Sequence, residues 1–266
     1  MREKLLIGRL IDTGSPVHGL DPRAKLTAML LYAAMVVAAR SWPALLGLTA
    51  FSFIVMASTR IPLRTYLKAA KPLRVLMLFI LIVQCLAVKG GRVLAAAGSW
   101  HVDSAGLEAG AYAVVRMVLL VSFTALLTFT TSPGQLNQGV EGMLRPFTRI
   151  GISPERLALM TGIALRFIPA ILDEAQTIMK AQASRGADMK ELPWKEKARM
   201  LTALLVPVTV GAFRRAEDLT ASMESRGYRL GAPRTQYRPL IWSYRDTGFV
   251  AVFVLMCLIV VWIGWI

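Results

Sequence analysis

Apolar runs alternate with short charged breaks through the first half of the chain, a pattern that predicts helices crossing a membrane. Residues 24–39, AKLTAMLLYAAMVVAA, and 42–58, WPALLGLTAFSFIVMAS, are two such runs parted by Arg40 and Ser41. Each is short for a span of about 20 residues but falls within the usual scatter once flanks are counted, so the pair reads as a helical hairpin. The next stretch, RIPLRTYLKAAKPLR, supplies Arg60, Arg64, Lys68, Lys71 and Arg74 with no acid. Uncompensated cations between apolar runs mark a cytoplasmic loop. A third apolar run, Val75 to Val88, follows, then a Gly-, Ala- and Ser-richer stretch from Lys89 to Glu108 that fits an outside loop. A fourth run extends from Ala109 to Thr131 with Arg116 inside it. The final 19 residues, GFVAVFVLMCLIVVWIGWI, are free of charge and place Trp262 and Trp265 near one end, where indoles favour the lipid–water boundary.

Between the fourth run and the last, hydropathy falls. Residues 132–247 carry 17 Lys or Arg against 11 Asp or Glu, which predicts helices outside the bilayer core on its positive, cytoplasmic side. The expected architecture is therefore all-α and polytopic. Four spans lie in 1–131, a cytoplasmic domain of long amphipathic helices in 132–247, and a fifth span in 248–266, with the N-terminus inside. In PAILDEAQTIMKAQASRG the stripe is Leu172, Ala175, Met179 and Ala183, with Asp173, Glu174, Gln176 and Lys180 elsewhere around the cylinder. In PVTVGAFRRAEDLTASMESRG it is Val208, Ala212, Ala216, Leu219 and Met223. Pro169 and Pro207 suit first turns, and Gly186 and Gly227 suit left-handed stops. The stretch ADMKELPWKEKARML between them reads as an exposed connection.

Composition agrees with the pattern. Of 266 residues 55% are apolar, which excludes an ordinary soluble domain. The net charge of +15 is concentrated between spans, so it does not call for nucleic acid. Cys85 and Cys257 each lie in an apolar run and suggest neither a disulfide framework nor a metal site. The N-terminal MREKLLIGRLIDTG lacks an apolar stretch of signal-peptide length. His18 and His101 are isolated, so no metal is expected. There is no phosphate loop of P-loop spacing, and no nucleophile with a base beside it. No cofactor is expected, and any ATP has to be bound by a partner.

The tripeptide Ser-Arg-Gly occurs twice, at Ser184, Arg185, Gly186 and at Ser225, Arg226, Gly227. A lone copy reads as a helix stop, with the Arg favoured in the last turn by the helix dipole. Two features add to that reading. A small residue, Ala181 or Ser222, stands four positions before each Arg and leaves the preceding turn slim. Each Arg also falls seven residues after an apolar residue, Ile178 or Leu219, so it sits on the same side, at the tip of an apolar stripe. Such an end suits insertion into a groove of another protein, where a guanidinium fork takes a carboxylate or backbone carbonyls.

The paired Arg-Gly helix ends, HGLDPRAKL from His18 to Leu26, and ALRFIPAILDEAQ from Ala164 to Gln176 resemble the EcfT/CbiQ family, the transmembrane T component of energy-coupling factor (ECF) transporters. The family's signature is Ala-Arg-Gly, and Ser184 and Ser225 here replace its Ala with another small residue. The resemblance implies a non-catalytic scaffold of a vitamin or micronutrient importer in the cell membrane. Its coupling helices would dock through Arg185 and Arg226 onto two ABC ATPase subunits, EcfA and EcfA′, and a small membrane S component would capture the substrate. Asp21, Pro22, Arg23 and Lys25 combine a helix cap and first-turn proline with cations at the membrane edge; the resemblance adds that they help hold the coupling domain. Arg166 would brace the turn into the first coupling helix. Arg116 fits a place near the outer interface rather than an intramembrane site. Alternatives are a dedicated permease of a cobalt, nickel or biotin system and, from another class, a membrane-embedded lipid-modifying enzyme whose basic segment holds phosphate head groups. A self-contained secondary transporter would show paired intramembrane charges and inverted repeats.

Overall fold

The computed structural model describes residues 11, 13–97, 100–151, 153–185, 193–229, 231–232 and 239–265. They form an all-α polytopic membrane protein with one short β-hairpin, divided into two compact units, Met1–Pro154 with Leu240–Ile266 and Glu155–Pro239.

In the first unit, α1 (Pro22–Ala38) starts where Asp21 accepts a hydrogen bond from the Arg23 N–H at 2.8 Å, with Pro22 in the first turn. It is packed by later helices, α5 (Ser104–Thr130), α6 (Pro133–Leu144) and α9 (Tyr244–Trp265). The hairpin partner α2 (Trp42–Ser58) completes the core. At its centre Tyr32 stacks on Phe123 at 4.1 Å, and the fully buried Phe253 meets Phe123, Phe51 and Phe249 edgewise or tilted at 4.9–5.6 Å. Four helices thus share one aromatic cluster, in the offset and edge-to-face geometries that ring quadrupoles favour.

The cationic stretch after α2 is not a loop. It forms α3 (Leu63–Ala70), a 3-10 turn (Lys71–Leu73) and α4 (Arg74–Ala87), a helical run of 25 residues from Leu63 to Ala87. The reason lies in spacing. Arg64, Lys68 and Lys71 recur on one helical face and are exposed, leaving Tyr66 and Ala70 buried on the other. After α4 an antiparallel hairpin, β1 (Val93–Ala97) and β2 (Trp100–Asp103), leads into α5. Helix α5 lies close against α4 because Gly106 and Gly110 face it. A Cβ at Gly106 would stand 2.8 Å from the Val88 carbonyl oxygen and 2.9 Å from that of Cys85, and one at Gly110 would stand 3.1 Å from Leu81. Small residues four apart permit such backbone approach in membrane helices.

Among the described residues, three helical runs are long and apolar enough to cross a membrane: Leu63–Ala87, Ser104–Thr130 and Tyr244–Ile263. The two helices of the N-terminal hairpin have 17 residues each, about 25 Å of rise. Helix α6, opened by a reciprocal capping box between Ser132 and Gln135, packs on α1 within this first unit.

The second unit holds two long helices, α7 (Pro154–Ser184, its first residue shared with the boundary) and α8 (Trp194–Ser225). Both begin well before the expected starts. Pro169 and Pro207 do not open helices; they lie inside them. Helical residues precede each, and the proline deprives only the carbonyl four residues back, Leu165 or Ala203, of its usual amide partner. The second half of the presumed connection, from Trp194, is likewise helix. Gly186 and residues 187–192 lie outside the described residues.

Candidate functional site

The two Ser-Arg ends are built alike where both are described. Ser184 Oγ donates to the Lys180 carbonyl at 3.1 Å, and Ser225 Oγ to that of Ser222 at 3.0 Å. Each hydroxyl is satisfied by its own helix. Arg185 and Arg226 are exposed, as are Ala181 and Ser222 one turn earlier. Gly227 holds φ 75°, the Gly227 N–H donates to Glu224 O at 2.9 Å, and the Tyr228 N–H donates to Met223 O at 3.0 Å. This is a Schellman stop, which only a residue at ease in the left-handed region closes without strain.

Of the apolar stripes, Ala175 and Met179 on α7 and Val208, Ala212, Leu219 and Met223 on α8 are half-buried. No residue of α8 is buried, and only Pro154 of α7 is. Leu157, Met160, Ile168 and Leu172 on α7, and Leu201, Leu205, Val206, Val210 and Phe213 on α8, stand exposed. The helices meet where Arg215 Nη2 lies 2.6 Å from Glu174 Oε2. Gly211 makes room there, for a Cβ on it would stand 2.6 Å from Glu174 Oε1. Arg166 is exposed in the middle of α7, and there is no turn for it to brace.

The N-terminal motif forms a buried junction. Lys25, 3% exposed, donates through Nζ to His18 O at 3.1 Å and Thr130 O at 3.0 Å. The Asp21 N–H donates to Asp246 Oδ1 at 2.7 Å, while Asp246 Oδ2 accepts from the Ser243 N–H and hydroxyl, both at 2.8 Å. Thus the starts of the first and last helices are joined through one carboxylate. His18 is held by Ser15 and the Ile11 carbonyl at 2.6 and 2.7 Å. Arg23 lies against Gly142 of α6, and Pro22 against Gly139. Sequence reasoning missed Asp246; its signal is the Ser243-to-Asp246 spacing of a capping box before the last apolar run.

Arg116 donates through Nη2 to the Ala39 carbonyl at 2.7 Å, which also accepts from Tyr112 Oη at 2.6 Å, and its guanidinium carbon lies 5.0 Å from the Tyr112 ring centre. Ala39 is the C-cap of α1. A cation there meets the negative end of the helix dipole, and this explains its place inside an apolar run. Among the described residues no cluster of His, Cys, Asp or Glu could hold a metal ion.

Comparisons with known proteins agree with one another. The CbiQ family profile, described as cobalt transport protein, matches residues 13–237. The energy-coupling factor transporter transmembrane protein EcfT of Listeria innocua serovar 6a is 40% identical over 247 residues, covering 93% of each chain. The EcfT protein of Bacillus subtilis (strain 168) is 39% identical over 252 residues and 94% of each. That of Brevibacillus brevis is 37% identical over 265 residues, 100% of this chain and 99% of its own.

Proposed function

We propose, because this chain belongs to the EcfT/CbiQ family of energy-coupling factor transporter transmembrane proteins, that it is the coupling subunit of an ATP-driven importer. In this reading the ends of α7 and α8 lie in the cytoplasm, and Arg185 and Arg226 each engage one ABC ATPase subunit. Closure of the ATPase pair on ATP moves both ends. The membrane helices pass that motion to a substrate-binding S component for vitamin or micronutrient uptake, and the chain itself catalyses nothing.

The observation that carries the proposal is the pair of like-built, exposed helix ends, each offering one guanidinium whose neighbouring hydroxyl is already spent on its own helix. Planar guanidinium forks suit carboxylates and carbonyls in a groove. The exposed apolar faces of both helices add surface that calls for protein partners.

The test is Arg185→Ala with Arg226→Ala in the assembled transporter. The expected result is at least about a tenfold loss of co-purified ATPase and of uptake, equivalent to about 1.4 kcal/mol or more, with membrane insertion unchanged. Normal uptake by the double variant would sink the proposal. The CbiQ profile's description as a cobalt transport protein favours a second reading, a permease dedicated to one metal system. Affinity purification from native membranes separates them: several different small membrane proteins indicate a shared scaffold, and one constant partner a dedicated permease.

A further inference from the structure

The crossing of α7 and α8 divides both helices at equivalent points. Glu174 precedes Arg185 by 11 residues, and Arg215 precedes Arg226 by 11. At about 1.5 Å per residue each arm from ion pair to guanidinium-bearing end is about 16 Å. The same offset of 41 residues relates Asp173 to Arg214, so two acids on one helix correspond to two bases on the other. Neither short arm, residues 175–184 or 216–225, contains Pro or Gly. Both prolines fall on the far side of the crossing, at Pro169 and Pro207.

We infer that Glu174 and Arg215 are positioning residues that pin this crossing, giving two stiff arms of equal length whose displacement is transmitted through one fixed point. The local packing supports a pin. Gly211 lets the Glu174 carboxylate approach the α8 backbone, and any side chain there would displace it. Arg215 Nη1 is shut off from solvent with no hydrogen-bond partner, so loss of the facing carboxylate leaves a partly desolvated cation. Because the side chains are 33% and 27% exposed, the pair's contribution to overall stability is screened and small. Its effect lies in geometry: with few other contacts between the helices, one specific pair sets where they cross. Equal arms then give the two ATPase subunits of the proposed function equal leverage on the crossing. The inference rests on that reading for its role in transport, but not for the pin itself.

The experiment measures the pin directly. In the full chain in lipid nanodiscs, with Cys85 and Cys257 replaced by Ala, nitroxide labels are placed at Ala183 and Glu224, equivalent exposed positions nine residues past the pair. Pulsed electron-spin distances should be narrowly distributed in this parent, should broaden or shift in Glu174→Arg and in Arg215→Glu, and should narrow again when both are combined. Unchanged distributions in the single variants, or a swap no narrower than the singles, overturn the inference. Uptake by the assembled transporter is measured in parallel. A loss of about tenfold in each single variant with recovery in the swap supports the transport role; undiminished uptake with altered distances overturns it while the pin stands. If the distances follow expectation but Arg185→Ala with Arg226→Ala leaves uptake intact, the ATPase-docking reading fails and the pin remains.

Discussion

Asp246 is a single side chain that closes two helix starts, and its replacement tests how much the junction contributes. Asp246→Ala would leave the Asp21 N–H and the Ser243 cap without their acceptor. Buried donors left so cost about 1–3 kcal/mol each, so the variant should show a clearly lower midpoint in a detergent thermal melt, with Asp246→Asn falling between. At the C-terminal end of α8, Gly227 holds its positive φ. Gly227→Ala should weaken the helix stop by about 1 kcal/mol, and Gly227→Asn by less because Asn tolerates that region. Amide exchange at Tyr228, whose N–H closes the motif, should accelerate in the Ala variant. The glycine stop at Gly227 was legible from order along the chain. Asp246 was not, because its partner stands 225 residues away and nothing local announces the pairing.

Among the helices, close approach is the property most open to test. Gly106→Val drives a side chain into the Cys85 and Val88 carbonyls and should greatly reduce folded yield and thermal midpoint. Gly47→Ala, in the interior of α2 with nothing within 4 Å of the added carbon, should hold or raise the midpoint by about 0.5–1 kcal/mol of helix stability. Fluorescence-detected size exclusion after graded heating would rank them. The apolar runs announced α1, α2, α4, α5 and α9 correctly because a 3.6-residue turn buries or exposes whole stripes. Helix α3 escaped notice because five cations between residues 60 and 74 with no acid suggest a loop until their spacing around a cylinder is considered. Pro169 and Pro207 misled for a related reason. Proline favours a first turn, yet in long helices with few competing contacts one missing backbone hydrogen bond does not end the run. Pro207→Ala should slow amide exchange within α8 around the Ala203 carbonyl, as measured by hydrogen–deuterium exchange.

For the molecule as a whole, the proposed docking of partners on the exposed apolar surface of α7 and α8 predicts a chain that gains stability on assembly. Ligation of the folded form raises its melting point by mass action, so the assembled transporter should melt higher than the isolated chain in the same detergent. Equal melting points would show that the partners do not bind these surfaces. The membrane class and the paired helix ends were readable from the sequence; the crossing was readable only in part, since its two residues are related by the 41-residue offset but their meeting depends on tertiary geometry. The tie between Asp21 and Asp246 also imposes an order on synthesis. The first helix leaves the ribosome early, but its start is not completed until almost the whole chain has been made. During translation the Asp21 amide has to wait beside water or lipid head groups. A chain stopped before residue 243 never receives the closing carboxylate, so a premature stop late in the gene would damage the first helix as well as remove the last.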